Sequence, residues 1–151
     1  MPRALGRDGQ AAEASQQKRF STSKTGPWAW SDPFCQEDPL DSRELDQLVD
    51  HVDIPAACRS FYRQMGFDIQ PILDRSDMFE RNGKNQHAFC TNIDRKKDVR
   101  TLNNVKSSIK WLETVLHELG HAIYELGFDD SLPWLLREPP HMITTEAMAL
   151  V

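Results

Sequence analysis

His117, Glu118 and His121, in the phrase HELGH, have the types and spacing that hold a metal and move a proton. On a helix, positions i and i+4 share a face with Cβ atoms about 5–6 Å apart. Two imidazoles so placed can converge on one metal at Zn–N distances of about 2.0–2.1 Å. Glu118 stands beside the first histidine, where its carboxylate can reach a metal-activated water and take its proton. The bland alternative is a pair of partly buried histidines and an exposed, helix-forming glutamate. Three features weigh against it. Val115, Leu116, Leu119, Ala122 and Ile123 would bury this helix, and buried imidazoles need partners. Gly120 costs about 1 kcal/mol relative to alanine inside a helix, which close approach of another backbone would explain. Acidic residues that can complete a site follow downstream.

A catalytic zinc keeps three protein ligands and leaves one position for water. The candidates beyond His121 are Glu125, Asp129, Asp130, Glu138, His141 and Glu146. Glu125 lies on the same helix, too far along its axis to complete a tetrahedron comfortably. Glu146, in HMITTEAMAL, falls on a separate helix that could cross the first and present its carboxylate. The extended HExxHxxGxxH pattern is not met, because Tyr124 and Gly127 stand where its glycine and third histidine would fall.

The elements that must position these residues can be read from periodicity. Ile109, Leu112, Val115, Leu116, Leu119, Ile123 and Leu126 recur at helical spacing, so Lys106 to Leu126 is the strongest helix, ended by Gly127. A last helix starts near His141, after the turn SLPWLLREPP. Upstream, HAFCTNID and DVRTLNNV around residues 95–97 read as a hairpin. Asp41 or Ser42 caps a helix with a stripe of Leu45, Leu48, Val49 and Val52. Asp53 caps the next, with Pro55 in its first turn, an apolar face of Ala57, Cys58, Phe61, Tyr62 and Met65, and Gly66 as its stop. A third short helix is expected from Pro71 to Phe79. Residues 1–25, rich in Ala, Ser and Gln without apolar period, read as a disordered tail. GPWAWSDPFCQEDPLD reads as extended. The fold class is α+β, mostly helical, with one small sheet.

Composition bounds the rest. The chain has 151 residues, a net charge of -5, 39% hydrophobic and 27% charged residues. That fits a single modest domain. The acidic balance argues against a nucleic-acid partner, which needs a basic surface. No apolar run approaches the ~20 residues that span a bilayer, so no membrane partner is expected. Cys35, Cys58 and Cys90 are odd in number and scattered, which suggests buried thiols, neither disulfide nor metal clip. A reducing, cytoplasmic location is the expectation.

HELGH followed 25 residues later by a helical Glu resembles the gluzincin peptidases of the thimet oligopeptidase and oligoendopeptidase F family. It is also similar to the related angiotensin-converting-enzyme family. PWAWSDPF, HAFCTNIDRKKDVRTL and LHELGHAIYELGFDDSLPWLLREPPHMITTEAMAL carry the likeness, over roughly residues 26–151. The resemblance implies a zincin-like catalytic core with an edge hairpin and an HExxH helix. It implies one zinc held by His117, His121 and Glu146, Glu118 as general base and later proton donor, and oligopeptides as substrates. His87 and Ala88 match a His-Ala pair that lies on the edge strand in the converting-enzyme group and binds the substrate backbone. An extended peptide can add to an exposed strand through main-chain hydrogen bonds; as a bland alternative, His87 is a solvated hairpin residue.

The chain also departs from those families. They supply a Tyr, and usually a His, from well beyond the third ligand, whereas this sequence stops five residues after Glu146. Leu150 stands where the converting enzymes carry an acidic residue behind the metal ligands. His141 and Thr145 are the available supports for the ligands, although His141 reads equally as an ordinary cap or surface residue. Residues 26–151 are therefore expected to be part of a catalytic domain truncated at its C-terminus. The alternatives are zinc hydrolysis of another amide, or a non-catalytic zinc-binding fragment inactive alone.

Overall fold

The computed structural model describes residues 42–150. The expected tail over residues 1–25, the Trp- and Pro-rich segment after it, and Cys35 lie outside them. In chain order the elements are α1 (Ser42–Val49), α2 (Ile54–Gln64), α3 (Gln70–Arg75), β1 (Asp77–Phe79), β2 (Phe89–Asn92), β3 (Val99–Val105), α4 (Ile109–Leu126) and α5 (Met142–Ala149). One turn of 3-10 helix, Trp134–Leu136, separates the last two. The architecture mixes α and β and is dominated by helix.

Local chemistry sets the helix ends. Asp53 accepts the Ala56 N–H at the start of α2, with Pro55 in the first turn. Gly66 follows that helix at φ +91°, a conformation glycine alone adopts freely. Ser108 Oγ accepts the Trp111 N–H at the start of α4, and Asp46 of α1 takes the Ile109 N–H. Gly127 ends α4 in an ordinary right-handed turn, its N–H bonded to the Tyr124 carbonyl.

The sheet has the order β1-β3-β2. β2 and β3 form the expected antiparallel hairpin, Phe89 opposite Leu102 and Asn92 opposite Val99. Arg95 turns it at φ +53°. β1 pairs parallel to β3. The expected helix over 71–79 is corrected here: α3 ends at Arg75, and 77–79 is strand. Ser76 breaks the helix in extended backbone, its hydroxyl bonded to the Ile72 carbonyl and to the Thr101 N–H of β3. The stripe expected on α1 is also narrower, since Val49 is buried but Leu48 is three-quarters exposed.

The core is one cluster: Ile54, Cys58 and Tyr62 of α2, Ile69, Ile72, Met78, Val99, and Val115, Leu119 and Ala122 of α4. The Tyr62 hydroxyl donates to the Leu116 carbonyl at 2.6 Å and fastens α2 to α4. α4 thus has its apolar stripe against the core and packs against β2 and α5 on its other flanks. No described helix is long and apolar enough to cross a membrane.

Candidate metal centre

Where α4 passes α5, the two backbones nearly touch. A Cβ on Gly120 would lie 2.7 Å from the Ala149 Cα, so only glycine permits this crossing. The same crossing carries Glu146 across to the histidine pair. His117 Nε2 and His121 Nε2 lie 3.1 Å apart, and Glu146 reaches them at 3.3 and 3.7 Å through Oε2 and Oε1. One ligand atom from each of the three residues falls within 4.8 Å of the others. Two nitrogens bound tetrahedrally at about 2.0–2.1 Å stand roughly 3.3 Å apart, so the nitrogen spacing suits zinc with little movement. Two neutral imidazoles and a carboxylate are also the donor set zinc takes.

The electrostatics agree with that use. Burial holds the His121 pKa below the ordinary imidazole value, and His117 acts in the same direction against the opposing Glu146 charge. The ring is therefore neutral near pH 7 and keeps a lone pair. His121 Nδ1 lies 2.7 Å from the Thr145 hydroxyl. With Nδ1–H donating there, Nε2 is the atom left to bind metal. Thr145 is itself buried.

Glu118 is 8% exposed. Burial pushes its carboxyl above the usual carboxylate range; the Glu146 charge adds to this, while His117 and the Cys90 backbone N–H oppose it. That N–H belongs to β2, so the carboxylate is held between the histidine pair and the edge strand.

These groups line a cleft of about 700 Å³. Ala88 to Asn92 form one side, α4 contributes His117, Glu118, His121 and Glu125, and Thr145, Glu146 and residues 137–139 form another. β2 pairs with β3 alone, so its second edge carries no strand among the described residues. Ala88 lines the cleft, whereas His87 sits exposed in the bend before β2, its N–H bonded to Asn85. The other acidic candidates are occupied elsewhere. Asp129 accepts the Ser131 N–H, Asp130 faces Lys97, Glu138 pairs with Arg95, and Glu125 accepts from Asn92. His141 caps α5 through the Ile143 N–H. Cys58 is fully buried, its thiol pushed up to about 12 by burial. Cys90 is only half-buried, in the cleft wall.

Sequence reading missed the cleft roles of Asn92, Arg95 and Arg137, which have no local signal, since the hairpin and the loop meet only in the fold. Glu125, weighed there as a metal ligand four residues past His121, lines the same cleft but accepts from Asn92.

An imidazole pair, a carboxylate and a buried glutamate beside a strand edge are the groups a metal-dependent hydrolase uses. The family model for carboxypeptidase Taq (M32) metallopeptidases matches residues 15–144, and the chain belongs to that zinc metallopeptidase family. The match includes HELGH and ends two residues before Glu146. It names this family and not the thimet oligopeptidase, oligoendopeptidase F or converting-enzyme families, whose likeness rests on the motifs quoted above. No match was found among curated proteins or among solved structures.

Proposed function

We propose that this cleft hydrolyses oligopeptides, with His117, His121 and Glu146 holding one zinc in a zincin-like gluzincin core. The convergence of those three side chains beside the buried Glu118 carries the reading. Zinc, when bound, supplies Lewis acidity, bringing water's pKa towards about 7 and polarising a carbonyl. The chain's own groups do the rest. Glu118 takes the proton of the attacking water and delivers it to the leaving amine, and a carboxyl held above its usual range suits both steps. The free edge of β2, Phe89–Asn92, with Ala88 just before it, offers main-chain donors and acceptors to an extended peptide. His87 stands where the peptide would leave that edge. Cys90 uses its N–H to aim Glu118, so that the strand binding the substrate also orients the base. Thr145 fixes the His121 tautomer.

The test is Glu118→Gln. Peptide cleavage by the zinc-loaded chain falls by about 10²–10⁴-fold while zinc affinity is retained; equal cleavage by both proteins refutes Glu118 as the base. A second reading is a zinc-binding module without turnover. One observation favours it: among the described residues, the cleft lining holds no tyrosine and no histidine besides the pair, so these side chains supply no such donor to an oxyanion. Stoichiometric zinc with no cleavage by the wild-type chain would support that reading.

A further inference from the structure

Among the described residues, Glu125 is the one carboxylate lining the cleft that pairs with neither a cation nor the two histidines. Glu146 faces two imidazoles, Glu138 is paired with Arg95, and Glu118 sits beside His117 under the Cys90 N–H. Glu125 accepts a single hydrogen bond from a neutral group, the Asn92 side-chain amide, at 3.1 Å. The other atom of that amide, Asn92 Oδ1, is shut off from solvent with no donor of its own. Nearby cations are committed elsewhere. Arg95 also stacks on the Trp134 ring at 3.8 Å, and Lys97 donates to the Leu126 and Phe128 carbonyls and faces Asp130. Arg137 donates to the Leu132 and Asp130 carbonyls. Glu125 therefore keeps a partly buried carboxylate that meets a neutral donor and, among the described residues, no ion-pair partner, and such a carboxylate gains most from a charged donor.

Position completes the argument. Seven residues separate Glu118 from Glu125 on α4, a rise of about 10 Å, and an extended peptide covers that in about three residues. We propose that Glu125 is a specificity-determining residue, selecting peptides that place a cationic nitrogen two or three residues from the bond to be cut. The nitrogen is a lysine or arginine side chain, or a free α-amino group. The proposal rests on the cleft being the peptide-binding site.

Binding tests it without requiring turnover. The zinc-loaded Glu118→Gln chain is titrated calorimetrically with peptides identical except for lysine or norleucine walked along the sequence, each with a free or acetylated N-terminus. At one position lysine binds about tenfold or more tighter than norleucine, or the free amine outbinds its acetylated form; the two arms separate the two sources of the cation. Adding Glu125→Gln reduces the ratio to within about twofold, and Glu125→Lys turns the preference towards a glutamate peptide. Circular dichroism confirms that each variant is folded. Tight binding without discrimination, or discrimination that survives both Glu125 substitutions, overturns the proposal alone. Failure of every peptide to bind overturns it together with the reading of the cleft.

Discussion

Thr145 is the residue whose role is least expected from its type. A threonine inside a short helix is an indifferent helix former, yet it is buried and its hydroxyl meets His121 Nδ1 at 2.7 Å. That contact leaves Nε2 as the ring nitrogen open to a metal. Thr145→Val keeps the shape and removes the acceptor, so zinc affinity is expected to fall about 10–100-fold with little change in folding. A competition titration against a chelator reads this directly, and unchanged affinity would show that Thr145 does not orient the ring. Sequence placed His117, Glu118 and His121 because one helix period suffices for them. It offered Thr145 and His141 as supports, with an ordinary cap as the competing reading of His141; the fold gives Thr145 the ring and His141 the cap.

At the scale of elements, the α4–α5 crossing makes the site. Exchanging Gly120 for alanine would favour an isolated helix by about 1 kcal/mol. Here the new Cβ would lie 2.7 Å from the Ala149 Cα, a backbone atom that cannot swing aside. Gly120→Ala is therefore expected to push α5 off α4, carry Glu146 out of reach, lower the melting temperature and weaken zinc binding. A variant that melts higher and binds zinc as before would contradict the crossing. Local periodicity made α2, α4, α5 and the β2–β3 hairpin legible, because each is defined by neighbours in sequence. β1 was not, since its three residues become strand only by pairing with β3, more than twenty residues away, while Ser76 stops the helix before them. The costly glycine in α4 did announce a close neighbour, and that neighbour is α5.

For the molecule as a whole, carboxylates lowered by their neighbours are expected to contribute to its acid sensitivity. Arg81 and Lys84 hold the Asp77 carboxyl below its ordinary value, and the buried Lys84 ammonium also binds the Asp77, Phe79 and Asn103 carbonyls. Asp94 is lowered by the Asp98 and Lys96 N–H groups of the hairpin turn, and Asp98 by Arg100. A carboxylate with a folded-state pKa below its unfolded value contributes stability that is fully present above about pH 4 and lost as pH falls through the folded value. Thermal stability should therefore decline below about pH 4. Asp77→Asn, which leaves Lys84 without its counter-charge, should melt lower at neutral pH and show a flatter decline. An unaltered slope in that variant would remove Asp77 from the account. The central claim, that α5 completes a zinc site begun by α4, is tested most directly by zinc affinity in the wild-type chain and in Glu146→Ala, because Glu146 lies beyond the family match. One zinc per wild-type chain, with binding strongly weakened in the variant, is the expected result; no zinc in the wild type, or equal affinity in both, would contradict it.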